Sequence, residues 1–162
     1  MGKPQNTSAI CGLFCDACGI YIATTEEPDR LERIAAAKGT VPDDVRCLGC
    51  RSDVLYPHCR TCKMKACAEE RGLDFCSHCS DYPCEILRDF QIQRPHRITL
   101  FESLEDIRDH GEPAWRARME SEYRCESCGT MNQIYDSACR HCSHTPPNRY
   151  VGRYQAEIEA GK

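Results

Sequence analysis

Cysteine is the residue through which this chain can do chemistry: fifteen stand among its 162 residues, at spacings that point to metal ligation. Cys125-x2-Cys128-Gly129 and Cys139-x2-Cys142, ten residues apart, have the layout of a short zinc ribbon. Zinc–sulfur bonds of about 2.3 Å put tetrahedral sulfurs about 3.8 Å apart, a span that one tight turn supplies, so two turns close the shell. Gly129 lets the backbone curl and offer N–H groups to sulfur. Four thiolates leave no open position for a substrate, so the chemistry expected here is structural zinc binding.

The other eleven cysteines form three triplets, Cys11/Cys15/Cys18, Cys59/Cys62/Cys67 and Cys76/Cys79/Cys84, and one pair, Cys47/Cys50. Eleven sulfurs fall one short of three four-ligand sites, and His58 or His78 would supply the twelfth ligand if it were not simply an exposed turn residue. Two filled sites with three cysteines left over fit almost as well. Which sulfurs share an ion is not readable from spacing, because sequential and cross-braced pairings give the same sequence. Several zinc ions are therefore expected, with an iron–sulfur cluster in residues 11–84 as the alternative, since closely spaced triplets also suit such clusters. Cys11-x3-Cys15-x2-Cys18 has the spacing of the radical S-adenosylmethionine motif. That chemistry needs a large partial barrel, and the sequence after Cys18 offers no series of βα units. A thioredoxin-like C-x-x-C is disfavoured for want of a βαβ setting.

No other residues form a complete catalytic constellation. Asp43-Asp44 and Glu69-Glu70 lie in polar segments and read as solvated faces. The basic stretch Arg88 to Arg97 is diluted by Asp89 and by Glu102, Glu105 and Asp106, and reads as a solvated linker. Trp115 reads as a packing anchor. Formal net charge is −4; fifteen thiolates, less the charge of four divalent ions, would take it to about −11, which opposes non-specific binding to phosphate backbones.

The elements that must hold these ligands are small. Aromatic residues are only 7% of the chain and mean hydropathy is −0.59, so metal rather than a large apolar core has to staple the fold. An odd cysteine count and short C-x2-C loops favour metal over disulfides. The polar opening from Met1 to Ser8 lacks a secretory signal, and no run of about 18 apolar residues occurs, so the expected location is the cytoplasm, away from membranes. Residues 1–10 read as a loose arm, followed by a helix from Thr24 or Thr25 to Lys38, with a hydroxyl cap and Gly39 as its stop. Cys59-x2-Cys62-x4-Cys67 is echoed seventeen residues later by Cys76-x2-Cys79-x4-Cys84, each unit running into a short helix, Ala66 to Arg71 and Pro83 to Phe90. That reading puts Cys67 and Cys84 in first helical turns. Ile98, Leu100, Phe101, Leu104 and Ile107 recur at helical spacing up to Gly111, and Pro113 opens a second helix with Ala114, Trp115, Ala117 and Met119. The fold class expected is a small metal-stapled protein, mainly α and irregular. Its parts are a cysteine-rich domain (1–92), a helical connector (93–122), a zinc ribbon with some β-hairpin character (123–145) and a tail ending in a weak helix (146–162).

With those residues quoted, the chain resembles the cysteine-rich family catalogued as domain of unknown function 3795. The resemblance runs through Cys11-Gly12-Leu13-x-Cys15-x2-Cys18, Tyr21-x-Ala23-Thr24, Cys47-x-Gly49-Cys50-Arg51, Cys67-Ala68, Tyr82-Pro83-Cys84 and Leu87. It continues through Leu104-x2-Ile107-x3-Gly111 and Ala114-Trp115 into the ribbon, where Ser143 stands in place of the more usual glycine. The resemblance implies zinc bound through the cysteines, and it carries over no catalytic residue. The expected function is a multi-site structural zinc-binding protein that serves as a protein-interaction module. A small iron–sulfur redox protein and a nucleic-acid-binding zinc-ribbon protein are the alternatives.

Overall fold

Short helices, most of them started by a proline or a cysteine and several stopped by a glycine, dominate the computed structural model, which describes residues 6–161. Among those residues the chain divides into two compact units, one ending at Cys76 and one beginning at Ser77. No strand ladder forms among the described residues; two isolated antiparallel bridges, Ser8 with Phe14 and Arg124 with Met131, are the β structure present. Among them, too, no helix is long and apolar enough to cross a membrane.

In the first unit α1 (Gly19–Thr25), α2 (Pro28–Ala37), α3 (Pro42–Val45), α4 (Pro57–Arg60) and α5 (Lys63–Arg71) follow one another. The single helix expected from Thr24 or Thr25 to Lys38 is in fact two. Thr24 and Thr25 do not cap α2; their hydroxyls donate back to Ile20 O (2.8 Å) and Tyr21 O (2.9 Å) in the last turn of α1. Pro28 then opens α2 with its ring-fixed φ, and Gly39 follows its end at φ +67°. Leu31 and Ala35, one turn apart on α2, pack with Ala23 and Val45 in a small core flanked by Ile34 and Tyr56. Cys67 lies in the second turn of α5, which begins at Lys63, earlier than expected. Of the expected loose arm, residues 1–5 lie outside the described residues. Thr7 and Ser8 are buried at 1% and 0% exposure, and Arg51 Nε donates to Ser8 O at 3.0 Å.

The second unit contains α6 (Glu85–Ile92), α7 (Leu100–His110), α8 (Glu112–Tyr123) and α9 (Arg149–Ala160). Cys84 occupies the N-cap position of α6 instead of its first turn, because Pro83 lies before the helix. Leu100, Leu104 and Ile107 on α7 and Trp115, Met119 and Tyr123 on α8 are buried, the i, i+4, i+7 and i, i+4, i+8 faces that helical spacing predicts. Gly111 between them takes φ +85°, which glycine adopts without a Cβ penalty. The weak terminal helix of the sequence reading is a packed one. Asn148 caps α9 by accepting Val151 N–H at 2.8 Å, Tyr150 stacks on Tyr123 with ring centroids 4.9 Å apart, and Ile158 is buried.

Leu104, fully buried on the α7 face, tests this packing. Leu104→Ala should lower unfolding free energy by about 2–5 kcal/mol, read from the denaturant midpoint of Trp115 fluorescence. An unchanged midpoint would mean that α7 is not part of a cooperative core.

Candidate metal centre

Local backbone turns set up the C-terminal cysteines. After α8 ends, Cys125 N–H donates to Thr130 O (2.8 Å), Gly129 N–H to Cys125 O (2.8 Å) and Asn132 N–H to Tyr123 O (3.0 Å). The second turn repeats the first, with Ser143 N–H on Cys139 O (2.9 Å) and Cys139 N–H on His144 O (2.8 Å). Gly129 and Ser143 occupy equivalent places and share the left-handed conformation, at φ +76° and +60°. Serine therefore forms the turn that glycine forms in the first half, at the steric cost of a Cβ in the left-handed region.

The two turns bring Cys125, Cys128, Cys139 and Cys142 together with all four sulfurs within 4.8 Å of one another. Cys125 Sγ lies 3.6 Å from Cys142 Sγ, and Cys128 Sγ 3.6 Å from Cys139 Sγ. Those separations are close to the edge of a tetrahedral zinc–thiolate shell, so the donor set fits a metal ion. Cys125 and Cys139 are buried while Cys128 and Cys142 are exposed, so the first cysteine of each pair faces the fold and the second faces solvent.

Hydrogen bonds tune these sulfurs. Burial pushes the Cys139 thiol up, but the N–H groups of Cys142 and His141, the Asn132 amide and the Cys128 side chain outweigh it and bring it down to about 6. The Thr130 hydroxyl and N–H lower the Cys128 thiol. At Cys142 the His144 N–H pulls downward, and hydrogen bonding with Cys128 together with the other two sulfurs wins, pushing it up to about 11. Opposed directions are what closely spaced thiols produce when they compete for protons, a competition that a cation would relieve by holding all four as thiolates.

Asn132 is the residue that sequence reasoning missed. Its side chain is fully buried, and its Nδ2 donates to Thr130 O (2.9 Å), Pro147 O (3.1 Å) and Cys139 Sγ (3.5 Å). Its Oδ1 accepts Arg140 N–H at 2.9 Å, and Asn148 Nδ2 donates to Asn132 O at 3.0 Å. One asparagine thus ties both turns to the start of α9. A single Asn in a polar loop carries no sequence signal for that role.

The other expected ligands are placed differently. Cys11 and Cys47 are buried, Cys18 is exposed, and Cys15, Cys50, Cys59, Cys62, Cys67 and Cys76 are half-buried in the first unit. Burial raises the Cys11 thiol, with Cys50, Cys62 and Cys76 adding to the rise. Burial also raises Cys15, next to Cys18, and takes Cys59 to about 12, with Cys47 and Cys18 its leading thiol neighbours. In the second unit Cys79 Sγ accepts Asp81 N–H at 3.4 Å, and Cys84 precedes α6. His58, in α4, and His78 are exposed. Among the described residues, the tight four-sulfur group is the C-terminal one.

A family model described as protein of unknown function (DUF3795) matches residues 7–89. The chain belongs to this family. The matched stretch takes in the eleven N-terminal cysteines and ends before α7, so Trp115 and the C-terminal four-cysteine centre lie beyond it. Comparisons with curated proteins and with solved structures give no match.

Asn132→Ala would leave Arg140 N–H and Pro147 O without their present partner. It should weaken metal affinity by about 10- to 100-fold and destabilise the second unit by about 1–3 kcal/mol. Competition against a chromophoric chelator measures the first effect and denaturant unfolding the second. Wild-type affinity in the variant would remove Asn132 from the support of the centre.

Proposed function

We propose that this chain is a multi-site structural zinc-binding protein that acts in the cytoplasm as a protein-interaction module. The observation that carries the reading is the C-terminal set of four sulfurs within 4.8 Å, built by two matching turns like those of a zinc ribbon. A shell of four thiolates has no vacant position, which favours a structural ion over a catalytic one. The nine cysteines from Cys11 to Cys76 serve the same purpose in the first unit, where helices of four to ten residues enclose little apolar volume.

A protein partner is favoured over nucleic acid by the state of the cations around the ribbon. Arg149 Nε pairs with Glu126 at 2.7 Å, Arg124 donates to Gly129 O at 2.9 Å, and Arg140 donates to Met131 O at 2.8 Å. These guanidinium groups serve the fold, whereas a phosphate-binding face needs clustered cations directed at the ligand. Apolar side chains such as Ile92 (81% exposed) and Val41 (59% exposed) offer contact area of the kind protein interfaces use.

A bound structural zinc contributes on the order of 10–16 kcal/mol, as much as the whole net stability of a typical domain, about 5–15 kcal/mol. Protein purified without oxygen should therefore contain about three to four zinc ions, one per four ligands, and show no visible absorption. Chelation under reducing conditions should then abolish most of the helical circular dichroism of the first unit. Iron with acid-labile sulfide would replace this reading by electron transfer, and an unchanged dichroism spectrum after complete metal loss would remove the structural role.

A further inference from the structure

The basic stretch that reads as a solvated linker in the sequence is tied down in the second unit. Arg97 is only 5% exposed. Its Nη1 donates to Phe90 O (2.6 Å) and Gln93 Oε1 (3.3 Å), and its guanidinium stacks 3.4 Å from the centre of the Phe90 ring. These contacts fold the short turn Pro95–Arg97 back on α6. The loop between Cys128 and Cys139 meets the same turn, with the Tyr135 hydroxyl 2.8 Å from His96 Nδ1 and the two rings edge to face. After α9, Gly161 comes so near that a Cβ there would stand 3.1 Å from the Pro95 ring. Three parts of the unit thus fix the turn from different sides.

The outer side of the turn carries a mixed set of side chains. Arg94, the residue before it, is exposed, and among the described residues no carboxylate is paired with it. Its charge falls on Tyr135, whose phenol is raised by burial while Arg94, the His96 N–H and Arg97 pull it the other way. Asp136, next to Tyr135, accepts from Gln133 N–H (3.3 Å) and Gln133 Nε2 (3.0 Å). Ile92, 81% exposed, ends α6 two residues before Arg94, and Tyr135 keeps 38% exposure. Arginine and tyrosine are residue types on which interface energy concentrates, and side chains on a fixed turn lose little freedom when a partner arrives.

We propose that this turn is the docking surface of the protein-interaction module and that its occupant is an acidic segment of a partner protein, with carboxylates on Arg94 and His96 and an apolar side chain over Ile92. Charge complementarity carries the choice of partner. The chain has a formal net charge of −4, so a local cation on a fixed turn selects and orients an acidic segment, and a guanidinium can hold a carboxylate through two parallel hydrogen bonds. A nucleic acid is a poorer fit, because Arg97 is engaged by Phe90 and Gln93 and a phosphate backbone needs a row of outward cations.

This assignment rests on the reading of the chain as an interaction module and adds the surface and the chemistry of its partner. The test is an amide NMR titration of the zinc-loaded full chain with a short peptide alternating glutamate and leucine, run beside a lysine–leucine peptide and a single-stranded oligonucleotide. The acidic peptide is expected to give saturable shifts at Ile92, Arg94, His96 and Tyr135 that fade with added salt. Arg94→Glu should weaken that binding about tenfold, and Ile92→Ser should weaken it with unchanged salt dependence; both residues are exposed, so zinc content and circular dichroism should match those of the wild type. Shifts on a different surface would overturn this site and leave the interaction role standing. No shifts with the acidic peptide would overturn the site, and tighter binding of the oligonucleotide at the same residues would overturn the protein partner as well.

Discussion

Sulfurs 3.6 Å apart tolerate common ionisation only with a cation among them, and the C-terminal centre is organised around that constraint. A chain with few aromatic residues has little apolar area with which to offset the entropy of ordering its backbone. Thiols concentrated at the junctions of short helices would, on the proposed reading, move part of that task to coordination. The geometry of the C-terminal centre follows from two equivalent turns, one using glycine and the other forcing Ser143 into the same left-handed conformation.

The two units meet the constraint in different ways. In the second, the α7, α8 and α9 faces supply an ordinary apolar core, with Leu104 and Trp115 fully buried, and the metal centre is attached at the end of α8. Asn132 couples the two by hydrogen bonding one ligand sulfur and the backbone leading into α9. In the first unit, the α2 core of Leu31, Ala35, Ala23 and Val45 is small. Polar ties from Arg51, Lys65 and Thr24 to distant backbone atoms carry more of its organisation. On the proposed reading, loss of metal would act on the first unit as a loss of fold and on the second more as a loss of one end.

The same sulfur chemistry bears on function. Thiolates committed to a structural ion, as proposed, would not serve as nucleophiles, and arginines committed to backbone oxygens and carboxylates are not directed at a phosphate. On the proposed reading, what remains available is surface shape, of the kind that protein interfaces use. Family membership covers the first unit and the start of the second, so the α7–α8 hairpin and the C-terminal centre extend this chain beyond the matched stretch.

Residue types and short spacings were enough to locate the C-terminal four-cysteine group, the α7 and α8 faces with their break at Gly111, and the family. Each of these depends on contacts within a few residues, where periodicity and turn chemistry are visible. The start of α2, the burial of Thr7 and Ser8, and the packing of α9 were not legible. They depend on hydroxyls bonding backward, on Arg51 reaching across the chain, and on Tyr123 meeting Tyr150. Asn132 escaped for the same reason, since nothing in an isolated loop asparagine shows that it will meet a sulfur. Sequence alone determined that the chain carries metal-ligand chemistry, because that property belongs to side chains. That four of these sulfurs stand within reach of one ion was decided by tertiary structure, because it requires two turns, ten residues apart in sequence, to be held against each other by Asn132.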